Sequence, residues 1–111
     1  SGKRMQACAK QNRLFKEQPF VLGVPATDLW KEEEEGELVL VQGIIDVYFE
    51  EEDGLVVLDY KTDRVRESRE LVERYHGQLD YYAGALEQAT GKTVKEKIIY
   101  SFTLGEEIHL P

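Results

Sequence analysis

The order of patterns along this 111-residue chain predicts an α/β domain with a mixed central sheet. Three observations carry that expectation. Two apolar runs rich in β-branched residues, ELVLVQGIIDVYFE and LVVLDYKT, meet at Asp53-Gly54 and read as a hairpin. From Glu67 the period changes: Leu71, Val72, Tyr75, Leu79, Tyr82 and Leu86 recur at helical spacing, marking an amphipathic helix that reaches about Ala89. After it, EKIIYSFTL returns to a strand pattern.

The remaining elements follow in order. Lys3 to Gln11 carries only a weak helical pattern, enough for a turn or two. RLFKEQPFVLG, Arg13 to Gly23, reads as extended, with Pro19 favouring an edge strand or a bulge. VPATDLW is a connection, and its Trp30 is expected to anchor a core or an interface. Gly91 follows the long helix as a C-terminal stop, and Gly105 turns the chain into a last short strand, EEIHLP. Residues 1–111 are expected to form one domain with one core, too short for two and without repeats or low-complexity linkers.

Composition narrows the function. The net charge of -8 is the opposite of the basic face an ordinary sequence-independent DNA binder presents. Much of the acidity lies in KEEEEGE and EEED, both between strands, where solvated loops are the ordinary reading. A nucleic-acid substrate would then need another domain or protein for most of its phosphate affinity. No run approaches the roughly 20 apolar residues of a membrane span, and the start SGKRMQACAK lacks the apolar core of a secretory signal. The single Cys8 has no internal disulfide partner, so a cytoplasmic setting is expected.

The hairpin carries charges where its neighbours are Ile, Val and Leu. With Asp53-Gly54 as a two-residue turn, Asp46 faces Lys61 and Tyr48 faces Asp59, so Asp46, Asp59 and Lys61 share one face. Ile45, Val47, Phe49, Leu58 and Tyr60 fill the other. Two carboxylates on a cross-strand diagonal, about 7 Å apart, can share a hard cation that keeps its waters and meets a substrate phosphate. A lysine beside them offsets developing charge in phosphodiester hydrolysis. The plainer alternative is a surface ion pair between Asp46 and Lys61, which contributes little.

GIID, LDYKTD and YHGQLDYYAGAL together resemble the RecB-like branch of the PD-(D/E)xK nucleases, in which Gly-x-x-Asp and Asp-x-Lys strands precede a helix bearing Gln-x-x-x-Tyr. FKEQPFVLGVP and IIYSFTLGEEIHL extend the likeness to the C-terminal nuclease domains of bacterial ATP-dependent helicase/nucleases of the AddA type. The resemblance implies a restriction-endonuclease-like core and a DNA exonuclease activity in double-strand break repair and recombination. It implies that Asp46 and Asp59 bind Mg2+ (or Mn2+), and that Lys61, Gln78 and Tyr82 complete the catalytic set. Glu17 matches an accessory glutamate. Arg64 and Arg66 flank the site as DNA contacts, weighed against simple helix solvation. A second helicase-nuclease subunit is implied as partner.

The family pattern also has a histidine on an upstream helix, a position neither His76 nor His109 fills. This points to a C-terminal fragment of a nuclease domain, binding metal weakly and cleaving little by itself. No Gly-Lys-Ser/Thr phosphate loop is present, so ATP belongs to a helicase region elsewhere. One cysteine cannot hold an iron–sulfur cluster. Two further readings stay open. One is a non-catalytic nuclease-fold module binding DNA or a partner subunit; the other is a structural domain whose hairpin charges are ion-paired. Tyr75 and Tyr81 are expected to pack, and Asp63 to cap the approach to the long helix.

Overall fold

Eight elements build the fold in the computed structural model, which describes residues 2–29 and 36–111. They are α1 (Gly2–Lys10), β1 (Leu14–Pro25), α2 (Ala26–Leu29), β2 (Leu38–Glu51), β3 (Gly54–Lys61), α3 (Ser68–Thr90), β4 (Val94–Ser101) and β5 (Glu106–Leu110). The strands lie in the order β1-β2-β3-β4-β5. Every pairing is antiparallel except β3 with β4, which is parallel and is bridged by α3. The expected α/β architecture with a mixed sheet is the one adopted. Trp30 and most of the first acidic run lie outside the described residues.

Both faces of the sheet are covered over its centre. On one side α3 buries Leu71, Leu79, Tyr82 and Leu86 against Ile45, Tyr48, Leu55, Val57 and Ile99. On the other, Cys8 of α1 joins Val47, Phe49, Val56, Leu58 and Ile98. This explains why β3 reads as a continuous apolar run: Leu55 to Leu58 are all buried. The weak pattern of α1 hid a full helix because tertiary contacts hold it. Arg4 forks onto Glu51, with Nη2 donating at 2.7 Å and Nε at 3.0 Å, and also reaches Glu96. The Cys8 thiol donates to the Glu50 carbonyl at 3.2 Å.

The helix ends follow local rules. Glu70 accepts the backbone N–H of Arg66 and Glu67 at 2.8 and 3.0 Å, covering donors that a helix start leaves unpaired. Gly91 closes α3 in the left-handed conformation, φ 71°, its N–H bonding the Glu87 carbonyl.

The hairpin register differs from the expected one by two residues. Glu51 pairs with Gly54, Val47 with Leu58, and the turn is Glu52-Asp53. An Asp-Gly turn of the hairpin type needs positive φ at both residues, yet among described non-glycine residues only Asn12 and Glu17 have it. Gly54 instead opens the return strand at φ 153°. A Cβ there would stand 2.8 Å from the Thr93 carbonyl oxygen, which accepts the Leu55 N–H at 2.8 Å. Gly54→Ala is therefore expected to cost about 1–3 kcal/mol, read as a lower denaturant midpoint at unchanged m-value. A midpoint equal to the parent's would contradict the close approach.

A shift of two preserves which residues share a face, so the charges remain together. It changes their pairing: continuing the register past Val47–Leu58 sets Asp46 opposite Asp59, not Lys61. The expected apolar face also needs correction. Ile45 packs on the α3 side with Tyr48, while Val47 and Phe49 face α1, because the alternation is interrupted at Asp46. Its neighbour across β1, Glu17, sits in the left-handed region at φ 50° between the regular pairs Lys16–Val47 and Gln18–Ile45. Tyr60 joins neither core; it is part-exposed and stacks on Phe102.

Candidate active site

The acid pair sits where β2 and β3 part. Beyond Val47–Leu58 the backbone ladder stops, and the Asp46 side chain takes over one of its bonds, Oδ2 accepting the Tyr60 N–H at 3.0 Å. Asp59 lies deeper, only 2% exposed. Burial is the main reason its carboxyl is pushed up to about 6, and the hydrogen bond with Asp46 adds to it against the pull of Lys61. Lys61 Nζ stands 2.9 Å from Asp59 Oδ2. The angle is not that of a hydrogen bond, and Asp59 Oδ2 is the one buried side-chain polar atom left without such a partner among the described residues.

The directed bond from Lys61 goes elsewhere. Nζ donates to Gln78 Oε1 at 2.9 Å and lies 4.0 Å from the centre of the Tyr75 ring. Tyr75 in turn donates its hydroxyl to Asp63 at 2.7 Å, and Arg74 reaches the same carboxylate at 3.2 Å. Two helical turns thus aim the lysine: Gln78 from the side, Tyr75 from beneath. The sequence predicts only packing for Tyr75, and its cation–π role is not legible from spacing alone. The one available signal is its place a single turn before Gln78 on the same stripe of the helix.

Tyr82 is buried beside the acids. Its hydroxyl is pushed up to about 12 by burial and by the charges of Asp59 and Asp46, so it stays a proton donor at neutral pH. Its ring meets Phe20 edge-on at 5.2 Å. Phe20 lies across the ladder from Gly43, and a Cβ at 43 would come within 2.7 Å of that ring. The glycine of Gly-x-x-Asp is thereby accounted for: it seats Phe20, which braces Tyr82. Gly43→Ala is expected to displace Phe20 at a cost of about 1 kcal/mol, the low end for overpacking because the ring is partly exposed. A thermal melt unchanged by the substitution would contradict this seat.

The other expected site residues are placed less closely. Glu17 shares with Asp46, Lys16, Val47 and Tyr60 a cleft of about 320 Å³ on the rim of the sheet. Its left-handed backbone is the kind of local strain that persists only when surroundings impose it. Arg64 and Arg66 are exposed on the segment between β3 and α3. His76 and His109 are exposed as well, the latter beside Glu96 and Glu107. Asp63 ties the approach to α3 through its side chain, while Thr103 donates to its carbonyl at 2.7 Å.

A divalent cation fits this donor set in part. Two carboxylates meet at one edge, one with a buried oxygen lacking a hydrogen bond, which matches a hard ion held by one or two carboxylates plus water. No group of three or more His, Cys, Asp or Glu side chains able to hold a metal occurs among the described residues.

Comparison with known proteins agrees with this geometry. Residues 3–108 match the PD-(D/E)XK nuclease superfamily. The chain is 42% identical over 142 aligned residues to the A-type polypeptide of the ATP-dependent helicase/nuclease of Lachnoclostridium phytofermentans, covering 96% of this chain and 10% of that protein. Two proteins of the same name from Clostridium botulinum, strains 657 / Type Ba4 and Okra / Type B1, are each 44% identical over 113 residues, covering 98% of this chain and 9% of theirs. The chain thus spans about a tenth of the length of these relatives. A buried Asp-x-Lys at the fork of a mixed sheet, backed by Gln78 and Tyr82, and a family match over nearly all its length place this chain in the PD-(D/E)XK nuclease superfamily.

Proposed function

We propose that the chain is a metal-dependent deoxyribonuclease module that acts as an exonuclease within a larger helicase-nuclease. Mg2+ is the favoured ion, with Mn2+ able to substitute. The observation that carries the reading is Asp59: a buried carboxyl pushed up to about 6 by burial and by Asp46, with one oxygen lacking a hydrogen bond. Such an arrangement costs stability, and a bound cation would relieve it.

Asp46 and Asp59 would hold the ion, which when bound polarises the scissile phosphate and neutralises its charge. Lys61 presents its cation to the phosphate and to the approaching water from 2.9 Å beside Asp59. Gln78 fixes that ammonium through Oε1, and the Tyr75 ring limits its retreat. Tyr82 keeps its proton and offers an O–H donor at the same edge. Phosphoryl chemistry of this kind depends mostly on positioning and electrostatics, which is what these contacts provide.

The family relationship and the names of its relatives support the remaining parts of the reading. These are a DNA substrate, a role in double-strand break repair and recombination, a second subunit, a motor outside this chain that uses ATP, and a cytoplasmic location. Among the described residues no helix is long and apolar enough to cross a membrane. The second reading, a nuclease-fold module that binds DNA or a partner subunit without cutting, draws on the absence of a three-ligand group among the described residues.

Release of nucleotides from end-labelled DNA separates the two readings. The expected result is slow release that requires Mg2+ or Mn2+, stops with chelator, and is absent in Asp59→Asn. Equal release by parent and variant would overturn the assignment.

A further inference from the structure

Gly77 lies in the middle of α3, and the fold gives no reason for it. A Cβ built there meets nothing within 4 Å, whereas one at Gly43 meets Phe20 at 2.7 Å. Glycine inside a helix weakens it relative to alanine, so a glycine facing open space points to something outside the fold that uses the room. That space is a groove of about 380 Å³ between β2 and α3, lined by Phe20, Gln42, Gly43, Gly77, Gln78 and Tyr81 among others.

The lining says what would enter. It holds aromatic rings and two amides, and none of its residues is charged. A phosphate gains nothing there, whereas a nucleobase stacks on aromatic rings and is read by amides along its edge. The groove runs directly into the acid pair's surroundings, since Gln78 both lines it and accepts from Lys61. A base held in a duplex stack cannot reach such a slot; an unstacked base of a single strand can.

We propose that this groove is a subsite for one unstacked nucleobase of a single-stranded polynucleotide, the nucleoside next to the phosphate held at Asp46 and Asp59, with Gly77 keeping it open. This rests on the hydrolytic reading above.

The test is fluorescence anisotropy of a 5′-labelled oligothymidine, run on Asp59→Asn and on Asp59→Asn carrying Gly77→Leu. The expected result is at least tenfold weaker binding with leucine at 77, while the melting temperature holds or rises because α3 gains a better helix former. Gly77→Ala, adding one methyl, should bind within about threefold of its parent while melting higher. Equal affinity in the leucine variant, or no binding by the parent, overturns the subsite. Hydrolysis of methyl p-nitrophenyl phosphate, which has no nucleobase, should be the same with and without Gly77→Leu when Asp59 is intact. If the unsubstituted chain fails to hydrolyse it with Mg2+ or Mn2+, the hydrolytic reading fails; if it succeeds while oligothymidine binding ignores Gly77→Leu, only the subsite does.

Discussion

Asp59→Asn is expected to make the metal-free chain more stable at neutral pH while abolishing metal-dependent cleavage. The folded-state carboxyl is pushed up to about 6 from an ordinary 3.8. Between those values the unfolded chain has released its proton while the folded chain still holds one, so stability falls as pH rises. The penalty is absent below about pH 4 and complete above about pH 6, and about two pK units correspond to about 3 kcal/mol. Asparagine mimics the protonated acid and escapes that cost. At pH 7.5 its melting temperature should exceed the parent's by roughly 10 °C, and at pH 4 the two should nearly coincide. A variant no more stable than the parent at pH 7.5 would mean that Asp59 is not strained by its burial. Stability surrendered at a site for function is the usual trade.

Lys61→Gln is the second large effect. Glutamine keeps polar reach toward Gln78 but removes the cation beside Asp59 and over Tyr75. Losing one preorganised electrostatic partner typically lowers turnover about 10²–10³-fold. The fall should appear in kcat, with KM for DNA little changed, because the lysine acts on charge developing at the reacting phosphate. The calorimetric affinity for Mg2+ should not weaken, since a competing positive charge has left the acid pair. Turnover within threefold of the parent would remove Lys61 from the chemistry and leave it as a counter-ion of Asp59.

Most of the architecture was legible because its signals are local. The 3.6-residue stripe of α3, the β-branched runs of β2 and β3, and Gly91 at the helix end each depend on neighbours in sequence. The common face of Asp46, Asp59 and Lys61 was legible too, since alternation survives any even shift of register. What was not legible came from tertiary contact. The turn lies at Glu52-Asp53 rather than Asp53-Gly54 because Gly54 is needed where the chain passes the Thr93 carbonyl. Ile45 takes the α3 side because Glu17 and Asp46 break the alternation between β1 and β2. The helix α1 is held by Arg4 across to Glu51 and Glu96, partners 47 and 92 residues distant. Tyr75 looks like core because spacing shows a stripe but not which ring will lie under a lysine.

Isothermal titration of Mg2+ or Mn2+ into the chain, beside Asp59→Ala, asks whether Asp46 and Asp59 together hold a divalent cation. The expected result is a binding heat in the parent that weakens as pH falls below about 6, when Asp59 takes up its proton, and that is absent from the variant. Identical heats in the two proteins, or none in the parent at pH 7.5 with either ion, would mean that the acid pair is not a metal site.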